Sequence, residues 1–304
     1  MELKMYDRYG LAMGTPPMRF TDDHTYRQYP AMNWSRLKLL RDKSARALQY
    51  ELLNGPTFTG NAATRFGNLC HTVALEPEEL TNRYRVAVET NKRTKAYKTE
   101  VADAATAGLE LVTTDDMRKA HNMAAGWHLS IDNLSQRYPS WDLLGTELGM
   151  AAQLTDPDVA MKGKLDAIFH GGSCLVIVDY KTTSSPLDTR SLRSIIGGRG
   201  YHIQQALYRR LYRAVNVDMV EVPIEMAWVF ASTEAPHETR VILASQAMSD
   251  AADHELDQLI QEYHEAISYD QWPGVEPLDV ADLLPWHLPS TMNVPEGAPN
   301  PLPF

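Results

Sequence analysis

The chain has 304 residues, 44% of them hydrophobic, enough for a full core in one large domain or two small ones; no apolar run approaches the ~18 residues of a membrane span, and the charged opening MELKMYDRYG lacks an apolar leader, so a cytoplasmic location without membrane contact is expected. Two cysteines, Cys70 and Cys174, are too few for a disulfide scaffold, a four-thiolate zinc site or an iron–sulfur cluster and are read as buried thiols. The net charge of −10 is uneven, because residues 241–304 hold 11 Asp plus Glu and no Lys or Arg, which leaves the preceding part near neutral.

In chain order, residues 1–30 are expected as an N-terminal arm. Residues 33–53 read as one helix, capped by Asn33 or Ser35, with Trp34, Leu37, Leu40, Leu48 and Leu52 on its apolar side and Asn54-Gly55-Pro56 as its stop. A second helix covers about 61–75, with Ala62, Phe66, Leu69 and Val73 as its buried stripe, and residues 78–140 are mainly helical and polar around the basic loop NKRTKAYK. From Trp141 the pattern changes to strands, at about 143–153, 161–169, 174–181, 222–231 and 238–244, with helices at about 199–215 and 246–268. The sum is an α/β domain over 31–270 with a mixed sheet. Residues 271–304 carry eight prolines and no basic residue, and are read as an extended tail docked by Trp272, Trp286 and Phe304 or partly disordered. Basic residues cluster at Arg36, Lys38, Arg41, Lys43 and Arg46, at Lys92, Arg93, Lys95 and Lys98, and at Arg209, Arg210 and Arg213. Such clusters either track a phosphate backbone or are solvated helix faces.

The segment MKGKLDAIFHGGSCLVIVDYKTT is the most informative. Its Gly171-Gly172 pair between two strand-like runs predicts a two-residue hairpin. Asp166 then faces Ile177, Lys164 faces Asp179, and Asp166, Asp179 and Lys181 project from one side of the sheet, the two acids as diagonal neighbours ~7–8 Å apart. Two carboxylates so placed repel each other and raise each other's pKa unless a divalent cation favours both ionised forms, and hard oxygen ligands suit Mg²⁺ or Mn²⁺. Lys181, two residues past Asp179, reaches an oxygen beside such a cation. The competing reading is a strand end with a surface ion pair worth ~0–1 kcal/mol.

These residues resemble a known family. GxxxH at Gly67 to His71, GKLD at Gly163 to Asp166, DYK at Asp179 to Lys181 and QxxxY at Gln204 to Tyr208 look like the ordered signatures of PD-(D/E)XK nucleases of the RecB type, and GNLCHTVALEPEEL with the RTKAYK loop is similar to the RecE-like exonucleases, exodeoxyribonuclease VIII and its phage relatives. The resemblance implies a restriction-endonuclease-like core, a mixed central sheet flanked by helices. It implies His71, Asp166, Asp179 and the Tyr180 backbone carbonyl as ligands of Mg²⁺ or Mn²⁺, and Lys181 as the catalytic lysine. Gln204 and Tyr208 would support the site or position DNA, and Glu147 matches the acidic residue that often precedes the GxxD strand. The expected activity is 5′→3′ exonucleolytic hydrolysis of linear duplex DNA, leaving 3′ single strands for an annealing partner of the RecT type, by an enzyme that often forms rings. Alternatives are a single-strand or structure-specific nuclease on the same fold, and a catalytically silent DNA-binding or scaffold protein. A dinucleotide-binding oxidoreductase does not fit, because GGRG at residues 197–200 is not the required fingerprint.

Overall fold

A computed structural model of the chain describes residues 5–13, 15–56, 60–154 and 158–277. The N-terminal segment contributes β1 (Met5–Tyr6), β2 (Ala12–Met13), β3 (Met18–Arg19) and α1 (Asp23–Gln28). Helices α2 (Trp34–Asp42), α3 (Ala45–Asn54) and α4 (Ala62–Leu75) follow. The short α5 (Leu80–Arg83) leads into a small unit, β4 (Tyr84–Val86), α6 (Lys95–Thr106) and β5 (Glu110–Val112), whose strands pair in parallel. The long α7 (Thr114–Ser135) precedes three strands, β6 (Asp142–Leu154), β7 (Val159–His170) and β8 (Leu175–Thr183). Helices α8 (Thr189–Arg199) and α9 (Tyr201–Val215), strands β9 (Ile224–Ser232) and β10 (Thr239–Leu243), and α10 (Gln246–Tyr269) complete the described chain.

The central sheet has the order β10-β9-β8-β7-β6-β3, antiparallel except for the parallel β8–β9 pair. The apolar run of β8 is continuous because both of its faces are covered. Leu175 and Ile177 enter one core with Leu37, Leu48, Ile203, Leu207 and Leu256, while Val176, Val178 and Tyr180 enter a second with Leu69, Val73, Met123 and Trp127. The expected N-terminal arm adds β3 to the sheet edge, and both cysteines are buried free thiols.

Several sequence expectations are corrected. The helix expected over 33–53 is two helices, because Ser44 adopts extended backbone and its hydroxyl accepts from Ala47 N–H, starting α3 afresh two residues after α2 ends. The helix expected from about 199 is preceded by α8, capped by Asp188; Gly200, at φ +66°, turns the chain from α8 into α9 where a side chain would strike Trp34. Ala62, expected in the buried stripe of α4, is exposed. Half of the basic loop, from Lys95, is the start of α6 behind the Thr94 cap.

The β7–β8 hairpin is also not a two-residue turn. His170 pairs with Leu175, so the loop is 171–174, closed by Gly171 N–H donating to Cys174 O at 2.8 Å. Its glycines are needed for close approach: a Cβ on Gly171 would lie 2.8 Å from Tyr138 and one on Gly172, at φ +91°, 2.6 Å from Pro139. The register moves by two residues, an even step that keeps the paired side chains of 167–170 and 175–178 on their expected faces. By this count Asp166 stands opposite Asp179 rather than diagonal to it. At the chain's other end Trp272 is buried against Tyr9, ring centroids 5.2 Å apart; Trp286 and Phe304 lie outside the described residues.

Candidate active site

The site forms where the regularity of the sheet fails. The β7–β8 ladder ends at the pair Ala167 and Val178, and beyond it the Asp166 side chain replaces the backbone, its Oδ2 accepting Tyr180 N–H at 2.7 Å. Alternation slips at the same point, since Leu165 belongs to the first core but Ala167, two residues on, to the second. On the other side of β7, Glu147 of β6 has φ +49°, a left-handed conformation that costs a non-glycine residue ~1–3 kcal/mol. The flanking pairs Thr146 with Ala167 and Leu148 with Leu165 place Glu147 opposite Asp166. Three acids, Glu147, Asp166 and Asp179, therefore lie level on three neighbouring strands.

Helix α4 supplies the nitrogen donor. Gly67 faces β8, where a Cβ would meet Thr182 Oγ1 in ordinary contact at 3.4 Å. One turn later, His71 Nδ1 is 3.7 Å from Asp166 Oδ2 and 3.8 Å from Glu147 Oε1, with its ring 5.2 Å from that of Tyr180. Among the described residues, His71, Glu147 and Asp166 form the one group whose donor atoms all lie within 4.8 Å of one another. Asp179 stands outside that trio. Its carboxylate is buried, 2% exposed, with Oδ2 2.7 Å from Lys181 Nζ and Oδ1 without a partner. Lys181 Nζ in turn lies 4.8 Å from the centre of the Tyr201 ring.

On the α9 side, Gln204 Nε2 donates to Tyr208 Oη at 2.8 Å, and Gln204 Oε1 is buried without a partner. Gly163 admits this helix: a Cβ there would lie 2.9 Å from both Tyr208 and Leu211. Of the motif glycines, Gly163 thus acts by allowing α9 to approach the strands.

The electrostatics follow from crowding. Burial and the nearby Asp179 charge push Asp166 up to about 6, although His71 and Lys181 pull it down. Burial works against the charge on His71, but Asp166 and Glu147 outweigh it and raise the imidazole above its ordinary value. Lys181 is likewise penalised by burial but held well above its ordinary value by Asp179 and Asp166, so it is a fixed positive charge in the site. Burial and the Asp179 charge also push the Tyr208 hydroxyl well up.

One imidazole nitrogen and several hard carboxylate oxygens are the donors Mg²⁺ or Mn²⁺ accepts. Ligands held at ~2.1 Å from one ion are ~3–4 Å apart, which the 3.7 and 3.8 Å separations match, and the buried Oδ1 of Asp179, which has no partner, is the kind of group a cation satisfies. The residues fit a divalent metal. Tyr180 is fully buried and its N–H is taken by Asp166.

Sequence reasoning missed two side chains at the site. Lys164 Nζ pairs with Glu147 Oε2 and lies 3.1 Å from Asp23 Oδ1 of α1. Two lysines at alternate positions of a buried strand, Lys162 and Lys164, were the available signal, since buried ammonium groups need partners. Lys162 finds its own in the carbonyls of Tyr26, Arg27 and Tyr29.

A "Putative exonuclease" from Eubacterium rectale, known from a crystal structure, is similar at TM-score 0.58 and 17% identity over 86% of this chain and 92% of that one, which shows a shared fold. Protein VC1899 from Vibrio cholerae aligns at 12% identity over 83% of this chain and 58% of its own, but at TM-score 0.26, and carries no weight. No curated protein matches the chain. The family profile described as "PDDEXK-like domain of unknown function (DUF3799)" matches residues 34–280, a span holding His71, Glu147, Asp166, Asp179 and Lys181. The chain therefore belongs to this PDDEXK-like family, and its mixed sheet flanked by helices is a PDDEXK nuclease-like fold.

Proposed function

We propose that the protein is a divalent-metal-dependent exodeoxyribonuclease acting on ends of linear duplex DNA in the 5′→3′ direction, in the manner of RecE-like enzymes. The observation that carries the hydrolytic reading is the convergence of His71, Glu147 and Asp166 within 4.8 Å of one another, beside a buried carboxylate and ammonium, Asp179 and Lys181, 2.7 Å apart. Similarity in fold to the Eubacterium rectale "Putative exonuclease" supports the exonucleolytic form. The 3′ strands left behind would suit a single-strand annealing partner, and a ring assembly would suit processive action.

His71, Glu147, Asp166 and Asp179 would hold Mg²⁺ or Mn²⁺, with the Tyr180 carbonyl as a further donor; the metal would supply Lewis acidity for attack of water on phosphorus. Lys181, with its proton held firmly, serves as a positive charge against the oxygens of the transition state rather than as a base. Gln204 and Tyr208 steady the wall of the site beside Asp179.

Of the three basic clusters, two have members engaged within the protein. Lys38 pairs with Asp42, Arg41 donates to Gly197 O, and Arg209 and Arg210 pair with Asp253 and Asp257 of α10. By contrast Lys92, Arg93, Lys95 and Lys98 are exposed and form no ion pair among the described residues. This unspent charge is the surface proposed to track the DNA backbone. The test is digestion of duplex DNA labelled at one 5′ end, with Mg²⁺, Mn²⁺ or EDTA. Metal-dependent release of labelled mononucleotides from linear but not circular DNA is expected; no hydrolysis with either metal, or equal cutting of circles, overturns the reading.

A further inference from the structure

We infer that Lys164 and Asp23 are positioning residues for Glu147, so that a segment lying before the family-matched span completes the metal site. The inference rests on the proposed metal-dependent function. Glu147 divides its two oxygens between two tasks: Oε1 faces His71 Nδ1 at 3.8 Å, and Oε2 is taken by the Lys164 ammonium. One oxygen anchored leaves the other aimed at the donor cluster, which a lone glutamate in a left-handed backbone would not maintain. Lys164 is itself fixed from its far side by Asp23 Oδ1 at 3.1 Å, while Asp23 Oδ2 accepts from Arg27 Nε at 2.5 Å. The result is a line of alternating charge, Arg27, Asp23, Lys164, Glu147, running from α1 into the site.

The mooring of α1 indicates that this line is built into the fold. Lys162, on the same strand face as Lys164, donates to three carbonyls at the end of α1, at 2.7 to 3.0 Å. Gly149, paired with Lys164 across the strands, leaves space for Tyr26, which a Cβ would approach to 3.1 Å. The helix is thus held by backbone capture at one end and by Asp23 at the other. Asp23, Glu147 and Lys164 border a cavity of about 250 Å³, so a changed side chain at 164 has room.

The rival interpretation is that the Lys164 ammonium stands where a cation would, competing with it. The two interpretations predict opposite signs. Calorimetric titration of the full chain with Mn²⁺ alone, together with kcat and KM on linear duplex DNA, distinguishes them. Lys164→Met is expected to weaken Mn²⁺ binding about 10–100-fold and to lower kcat with KM for DNA unchanged, and Lys164→Arg to recover most of both. Asp23→Asn should weaken Mn²⁺ binding about 3-fold or more at unchanged melting temperature, and should add nothing on top of Lys164→Met. Should Lys164→Met fail to fold, Asp23→Asn decides. Native or tighter Mn²⁺ binding by either variant overturns the inference while leaving the nuclease reading intact; a native chain that neither binds Mn²⁺ nor cleaves DNA overturns both.

Discussion

Asp166→Asn should make the metal-free protein more stable while abolishing its response to metal. In the folded chain the Asp166 carboxyl is raised from the ordinary 3.8 to about 6, first by burial and then by Asp179. Below about pH 4 both folded and unfolded chains carry the proton and nothing is lost. As pH rises from about 4 to 6 the unfolded chain releases it first, so stability falls, and by pH 7 a rise of ~2 units corresponds to ~3 kcal/mol at 1.36 kcal/mol per unit. Asparagine does not ionise, and its amide oxygen can still accept Tyr180 N–H, now bound at 2.7 Å. Allowing for imperfect geometry, a gain of ~1–3 kcal/mol is expected in EDTA at pH 7, at ~2–4 °C per kcal/mol for domains approaching this size. The native chain recovers ~2.7 kcal/mol when Mn²⁺ is present at one hundred times its dissociation constant, and the variant does not, so the gap in melting temperature closes or reverses on adding metal. Thermal unfolding followed by circular dichroism, with EDTA or Mn²⁺, measures both effects. A variant that melts below the native chain in EDTA, or that keeps the native shift with Mn²⁺, refutes the view of Asp166 as a carboxylate held at a cost for a cation.

Lys181→Ala is expected to reduce kcat on duplex DNA by about 10²–10³ while fluorescence anisotropy shows DNA still bound, and a loss under tenfold would remove it from the chemistry. Replacing Lys92, Arg93, Lys95 and Lys98 together by Ala should lower the slope of log affinity against log salt by about 3–4, at ~0.9 per phosphate contact; an unchanged slope places the DNA elsewhere. Gly163→Ala should destabilise by ~1–3 kcal/mol through overpacking, because its methyl would meet Tyr208 and Leu211 at 2.9 Å, and a native-like urea midpoint would count against that packing.

Much of this fold was legible because its strands are buried on both faces and its helices carry caps. The strand over 174–181 appears as β8 at Leu175–Thr183, and Asn33, read as one of two caps, is the one that holds Arg36 N–H. What escaped was information not written in periodicity. The break at Lys43 and Ser44 depends on a single hydroxyl, and a Ser within a helical pattern is common enough that spacing alone does not reveal it. The hairpin register failed because Gly171 answers to Tyr138, more than thirty positions upstream, and only Gly172, at φ +91°, to the turn conformation as well as to Pro139. Asp23 was invisible for a similar reason: nothing in DDHTYRQ marks it apart from an ordinary helix start, and only the tertiary approach of α1 to β7 brings it to Lys164.

Glu147 shows why a site of this kind coincides with a fault in the sheet. A regular ladder would point Glu147, Asp166 and Asp179 by strict alternation and satisfy its own backbone, leaving carboxylates spaced by strand geometry at ~4.8 Å. Here the ladder gives way: Asp166 takes Tyr180 N–H in place of a backbone carbonyl, and Glu147 adopts φ +49°. The strain of ~1–3 kcal/mol at Glu147 is offset only if both of its oxygens find cationic or metal partners, and His71 and Lys164 stand at those two positions. The same residues that correct the geometry also offset the repulsion among the three acids. Backbone irregularity, the paired lysine and the imidazole are therefore one arrangement, and loss of any member should be felt first as weaker metal binding and only second as lost fold.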